Sequence, residues 1–211
     1  MEKTFRRTRA ILEQLKESRA KILICTRSGL VTRDLDLLTT MPDVTVAWSI
    51  NSLEEKFVRD MEHAATIKRR LAAMQELYQA GVRTVCFISP IFPGITDPVE
   101  IIEQVKDRCH YVWLENLNLR GGFKSDILNY IRQTRPGLIP LYRDIYERKN
   151  YEYWDEQLLD IESYAQKHGH QLFDNYLPDH RMPPGKLGII NYLYHEQIRG
   201  SDNTGKRNKA S

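Results

Sequence analysis

Two hydrophobic periods alternate along the first half of the chain. Short, uninterrupted apolar runs that are rich in β-branched residues are typical of strands buried on both faces. Between these runs, apolar residues recur at helical spacing, which is typical of helices that bury one face. The pattern predicts strands over residues 21–26, 44–51, 84–89 and 111–117.

Helix-start signals follow the predicted strands. Asp97, Pro98 and Glu100 supply an N-cap, a first-turn proline and a third-position carboxylate, so a helix is predicted to begin there. The resulting βαβαβαβ order places the strands parallel, with helices on one face of a barrel-like sheet or on both faces of an open one. The predicted helices cover residues 2–20, 33–38, 98–108 and a long segment from Ser52 to residue 79.

The second half of the chain has a looser pattern. Residues 124–133 and 153–168 are predicted as helices, 138–145 are ambiguous, and "LPDHRMPPGKLG" is predicted as loop. The segment "GSDNTGKRNKAS" has no apolar residue larger than alanine and is predicted to be a disordered tail. We therefore divide the chain into a β/α domain over 1–123, a helical extension over 124–199 and a tail over 200–211.

Composition excludes several functional classes. The 211 residues are 41% hydrophobic, which is enough for a proper core. A formal charge of +3, from 31 basic and 28 acidic residues, is too close to balance to favour nucleic acid or a membrane surface. No apolar run approaches the roughly 18 to 20 residues that span a bilayer, and the first residues lead into a charged helix. We expect a cytoplasmic protein.

Three cysteines, Cys25, Cys86 and Cys109, lie in or beside separate predicted strands. Their spacing matches no metal or redox motif, so they are predicted to be core thiols. Several histidines follow residue 167, but without regular spacing, and no metal site is predicted from them.

Polar side chains stand where each predicted strand ends. Because parallel strands deliver their last residues to one rim, these residues are expected to lie together. Such a rim suits a ligand with a ribose, a carboxylate and a planar base, with Arg27 facing the carboxylate. The candidate binding residues are Arg27, Ser28, Ser49, Asn51, Ser89, Pro90, Ile91, Phe92, Glu115 and Asn116.

Four segments together resemble a known family. "ILICTRSGLVTRDLDLL", "VTVAWSIN", "TVCFISPIFPGITD" and "VWLENLNLRG" resemble the later strands of the radical S-adenosylmethionine (SAM) superfamily, in particular its spore photoproduct lyase-like branch. The resemblance spans about residues 5 to 135. It implies a partial, TIM-barrel-like (β/α) barrel of about four parallel strands, followed by C-terminal helices.

The resemblance also implies roles at the rim. In that branch the first strand tends to end Thr-Lys-Ser, so Arg27 would contact the methionyl carboxylate of SAM. Ser49, with Asn51 beside it, would lie near the ribose, and the loop from Ser89 to Gly94 would lie along the adenine. Branch members often carry Glu-Pro-x-Ala-Pro after the second strand, where this chain has "EHAAT" and both prolines are lost.

A larger departure concerns the iron–sulfur cluster. In the family, a Cys-x3-Cys-x2-Cys loop holds a [4Fe–4S] cluster, which reduces SAM to a radical that abstracts hydrogen from substrate. This sequence has no such motif, and it lacks the Gly-Gly-Glu segment that receives the amino group of SAM. We expect this chain to be the carboxyl-terminal part of such a barrel and to be inactive alone. Either it is truncated, or a cluster-binding half is supplied by another chain. The alternative is a cluster-independent barrel fragment that binds a nucleotide-like or phosphorylated ligand, or a partner protein.

Overall fold

The computed structural model describes residues 2–119, 121–174 and 176–193. The predicted tail over 200–211 lies outside the described residues. The strands are β1 Ile22–Thr26, β2 Val44–Ser49, β3 Arg83–Ile91, β4 Tyr111–Asn116, β5 Gln171–Asp174 and β6 Gly188–Asn191. They form one parallel sheet in the order β1-β2-β3-β4-β6-β5.

The predicted α/β class and the parallel, sequential order of the first four strands are confirmed. The expected number of about four strands is too low, because β5 and β6 extend the sheet beyond β4. Each of these strands has only four residues, and they lie in a segment whose pattern predicted helices and loop. Strands this short carry too few alternations for their period to be recognised.

The helices are α1 Glu2–Phe5, α2 Arg7–Leu15, α3 Leu35–Leu38, α4 Glu55–Met61, α5 Ile67–Gln79, α6 Pro98–Val105, α7 Phe123–Thr134, α8 Ile139–Tyr146 and α9 Glu152–His168. Two short 3-10 helices cover Gly29–Asp34 and Pro136–Leu138. None of the helices in the described part of the chain is long and apolar enough to cross a membrane.

Two helix boundaries bear on the site. Asp97 caps α6 as predicted, its Oδ1 accepting a hydrogen bond from the Glu100 N–H at 2.9 Å. The long helix predicted from Ser52 is wrong, because the chain breaks between α4 and α5 over residues 62–66. Thr66 stands where members of the resembled branch often carry the second proline, and its hydroxyl accepts from the Arg69 N–H to begin α5.

The helices cover the outer face of the sheet and leave a smaller apolar cluster on the inner face. Trp48 is fully buried under the helical layer, and its indole N–H donates to the Ser28 carbonyl at 3.1 Å. On the inner face, Trp113 packs with neighbours from the other strands. Met182, from the loop before β6, joins this inner cluster.

The same loop ties the strand starts together at the amino end of the sheet. Lys21 Nζ meets Asp179 Oδ1 at 2.6 Å, Arg83 donates to the Asp179 carbonyl at 2.7 Å, and the Tyr111 hydroxyl donates to the His180 carbonyl. The opposite, carboxyl end of the strands is where the candidate site residues lie.

A buried histidine makes stability depend on pH. His110 Nδ1 accepts a hydrogen bond from the Thr84 N–H at 3.2 Å, and burial lowers the pKa of the imidazole from 6.5 to about 4. The unfolded chain therefore takes up the proton first. The stabilisation that neutral His110 gives the folded state is complete above about pH 6.5 and is lost as the pH falls toward 4. We expect the free energy of unfolding to fall by about 1 to 2 kcal/mol between about pH 7 and pH 5, allowing for solvent screening.

Denaturant titrations at several pH values measure this effect. His110→Gln keeps an acceptor for Thr84 and should flatten the dependence, whereas His63→Gln, at an exposed position, should leave it unchanged. An equal slope in wild type and His110→Gln would contradict the assignment.

Candidate functional site

The carboxyl ends of β1, β3 and β4 border a cavity of about 730 Å³. Its other wall comes from α4 and α7, which stand over the ends of β3 and β4. A volume of this size is typical of small-molecule sites. Six of the predicted site residues line it: Arg27, Ser89, Pro90, Phe92, Glu115 and Asn116.

The remaining four predicted residues lie outside the lining of this cavity, and each has a structural contact. The Ser28 hydroxyl caps the first 3-10 helix by accepting from the Leu30 N–H at 3.1 Å. Ile91 is fully buried in the core. The remaining two contribute their main-chain carbonyls: Ser49 accepts from Arg70 at 2.9 Å and Asn51 from Thr96 at 2.6 Å.

A hydrogen-bonded pair marks the centre of the rim. Ser89 Oγ donates to Glu115 Oε2 at 2.5 Å, joining the ends of β3 and β4. The pairing of these strands shifts between Ile88 and Ile91, where β3 carries one residue more than β4. Such a bulge re-aims the side chains next to it, and the proline at position 90 fits it because it has no N–H to offer the ladder. The bulge lies at the point where Ser89 and Pro90 meet the cavity.

Arg27 belongs to a network of charges with Glu62 and Arg70. The Glu62 carboxylate contacts both arginines, one with each oxygen. Its Oε2 lies 2.8 Å from Arg27 Nε, and its Oε1 lies 2.8 Å from Arg70 Nη1. These contacts are ion pairs whose angles fall outside hydrogen-bond geometry. Adjacent arginines on a helix usually form a solvated face, but only Arg69 of this pair is exposed. The Arg70 side chain is fully buried, and it donates to the Ala65 and Ser49 carbonyls.

The helical wall contributes residues that the sequence did not indicate. The Tyr130 hydroxyl donates to Asp60 Oδ2 at 3.0 Å, and Lys56 pairs with the same oxygen at 2.7 Å. Both hydrogen bonds lower the pKa of Asp60, the one from Lys56 more strongly. Phe123 is half-exposed at the edge of the cavity. Helical periodicity shows only that such residues belong to an amphipathic helix, so no local signal distinguishes them.

The three cysteines do not come together. Cys86 in β3 and Cys109 ahead of β4 are buried, as predicted for core thiols. For Cys25 that prediction is wrong, because it lies exposed on the edge strand β1. Burial raises the pKa of Cys86, and it raises that of Cys109 to about 12, which disfavours the thiolate forms that bind iron. Within the described residues, no group of three His, Cys, Asp or Glu side chains is placed to hold a metal ion.

Comparison with known proteins gives a family match. Residues 2–105 match the model of the radical SAM superfamily. A relative from Methanocaldococcus jannaschii is 34% identical over 137 residues, which are 64% of this chain and 52% of that protein. A relative from Acidianus two-tailed virus is 38% identical over 110 residues, which are 51% of this chain and 35% of that protein. The chain thus spans about half or less of the length of these relatives.

Among solved structures, spore photoproduct lyase complexed with dinucleoside spore photoproduct has a similar fold. The TM-score is 0.51 and the sequence identity 14%, covering 88% of this chain and 55% of that one. At this identity the likeness concerns the fold alone. It agrees with the parallel β/α architecture described above.

Proposed function

We propose, from the match of residues 2–105 to the radical SAM superfamily, that the chain binds SAM in the cavity at the carboxyl ends of β1, β3 and β4. The observation that carries the proposal is the composition of that cavity. One guanidinium, a hydroxyl–carboxylate pair and apolar side chains line a space of about 730 Å³. The chain's own contribution is to bind and orient SAM, whose carbon–sulfur bond is the one broken in the family's chemistry.

The residues present fit the parts of SAM. A guanidinium offers five donors in a planar fork, so Arg27 suits the methionyl carboxylate. Glu115, already joined to Ser89, offers carboxylate oxygens to ribose hydroxyls, a role that the family resemblance implies for Ser49. Phe92 and Pro90 supply apolar surface for the planar base.

The charge of the cavity favours SAM over a phosphorylated ligand. Its lining carries three carboxylates, on Asp60, Glu115 and Asp126, against the single guanidinium of Arg27. SAM bears a sulfonium and an ammonium group beside one carboxylate, so its net charge is positive. A phosphate would instead meet like charges, which disfavours binding. This comparison favours SAM over the phosphate-binding alternative.

The [4Fe–4S] cluster does not fit the described residues. Its ligation needs three thiolates from neighbouring positions, whereas Cys25, Cys86 and Cys109 are held on separate elements. We propose that the cluster ligands are supplied by polypeptide outside these 211 residues, on the same protein or on a partner chain. No catalytic step is assigned to this chain.

Titration of wild type and Arg27→Ala with SAM and with adenosine, followed by NMR, tests the proposal. We expect wild type to bind SAM with a Kd no tighter than about 0.1 mM. Without coordination to iron, protein contacts alone must offset the entropy lost when the flexible ligand is ordered. Arg27→Ala should weaken SAM binding about tenfold, because a charged hydrogen bond is lost, and leave adenosine binding unchanged.

Two further measurements are controls. Arg59→Ala removes an exposed guanidinium of α4 that does not line the cavity, and it should bind SAM like wild type. Inorganic phosphate should not compete. Equal SAM affinity in wild type and Arg27→Ala would remove Arg27 from the site, and phosphate binding at this cavity would favour the alternative ligand class.

A further inference from the structure

We propose that Glu62 is a positioning residue, which holds the guanidinium of Arg27 at the cavity for a carboxylate-bearing ligand. The buried side chain of Arg70 anchors Glu62 in turn. The inference rests on the proposed function only in taking SAM as the ligand. Glu62 does not line the cavity, so it acts through Arg27.

Arg27 needs such support because its side chain is 52% exposed. An arginine side chain has many rotamers, and a ligand must otherwise overcome part of this entropy on binding. The ion pair places Glu62 beside Nε, at one corner of the planar guanidinium, which has five donors. The donors away from Nε can still meet a carboxylate in the cavity that Arg27 lines.

Glu62 is itself fixed by main-chain geometry. Its side chain is only 10% exposed, and its other oxygen meets the fully buried Arg70. Arg70 Nε donates to the Ala65 carbonyl at 2.8 Å and Nη1 donates to the Ser49 carbonyl at 2.9 Å. The Ala65 N–H in turn donates to the Arg27 carbonyl at 3.3 Å. The end of β2 and the segment between α4 and α5 thus set the position of the guanidinium beyond β1.

Stability alone does not account for the contact between Glu62 and Arg27. Neutralising buried Arg70 requires one carboxylate, and Glu62 provides it without Arg27. An ion pair with a half-exposed guanidinium contributes little to stability, because water screens the exposed charge. The main effect of the contact is therefore to fix the orientation of the Arg27 side chain.

A double-mutant cycle separates positioning from a structural role. Glu62→Gln, which is nearly isosteric, should weaken SAM binding about threefold to fivefold and leave adenosine binding and the secondary structure unchanged. In the Arg27→Ala background, Glu62→Gln should have no further effect on SAM, because Glu62 acts through the missing guanidinium. Glu62→Asp keeps the charge with a shorter reach and should fall between wild type and Gln. Glu76→Gln removes an exposed carboxylate of α5 and is the matched control.

A ligand-free measurement keeps the inference independent of the proposed function. In ¹⁵N relaxation experiments, the Nε–Hε signal of Arg27, assigned by its loss in Arg27→Ala, should report a more restricted side chain in wild type than in Glu62→Gln, because the ion pair limits its rotation. If wild type fails to bind SAM, the proposed function fails, and this signal still decides whether Glu62 orders Arg27. Unchanged Nε–Hε relaxation in Glu62→Gln, or an equal loss of SAM and adenosine affinity, would overturn the inference.

Discussion

Replacing Arg70 with methionine is expected to lower the free energy of unfolding by about 3 to 5 kcal/mol, the typical effect of breaking a buried ion pair from one side. Arg70 is fully buried, and it alone links the Glu62 carboxylate to the Ala65 and Ser49 carbonyls. Methionine fills much of the volume of the arginine side chain. It leaves the buried Glu62 carboxylate with one partner fewer, and it leaves two main-chain carbonyls without their donor. Chemical denaturation monitored by circular dichroism measures the change.

Arg69→Met is the matched control for this substitution. Arg69 is the preceding residue on α5, but it is exposed, so its loss should change stability by no more than about 0.5 kcal/mol. The double variant Glu62→Met, Arg70→Met should recover part of the loss, because it removes the stranded charge. Similar stabilities for Arg69→Met and Arg70→Met would show that Arg70 is not buried as described.

Gly188→Ala is expected to destabilise the protein by about 3 kcal/mol, the upper part of the range for overpacked cores. Gly188 begins β6 and pairs with Tyr111 of β4 on one side and Gln171 of β5 on the other. An added Cβ would lie 2.5 Å from the Tyr111 ring and 3.0 Å from Phe173. Both rings belong to the closely packed inner cluster and cannot move without disturbing it. Thermal unfolding and the near-ultraviolet signal of the inner aromatic residues measure the effect.

Gly122→Ala is the control for the loss of a glycine. Gly122 caps α7 with an ordinary φ of −67°, and an added Cβ would meet nothing within 4 Å. This substitution should leave stability unchanged or raise it slightly, because it restricts the unfolded chain. Wild-type stability in Gly188→Ala would mean that β6 does not pack against Tyr111.

Local signals were sufficient for the β/α part of the fold. The strands from β1 to β4 are contiguous apolar runs, and Asp97 with Pro98 begins α6 as predicted. Once their order was known, the handedness of βαβ crossovers required a parallel sheet with its strand ends at one rim. The rim residues Arg27, Ser89 and Glu115 were found in this way, and all three line the cavity.

Other features depended on contacts between segments that are distant in sequence. The strands β5 and β6 are too short for their period to be recognised in the sequence. They form because β6 pairs with the edge of β4 and because Phe173 packs in the inner cluster. The helical wall of the cavity likewise depends on where α4 and α7 pack, since Asp60 and Tyr130 meet across 70 residues. Periodicity describes one element at a time and carries no information about which elements meet.

The sequence by itself determined the class of the fold, the direction of the first four strands and the edge of the sheet at which the cavity lies, because these follow from hydrophobic period and the βαβ connections. Only the tertiary structure decided which polar residues serve the cavity and which serve the scaffold. Arg69 and Arg70 are adjacent in sequence and identical in type, yet one faces water and the other is fully buried. The difference arises because Glu62 and two main-chain carbonyls surround Arg70 alone, and burial of a charge depends on such partners.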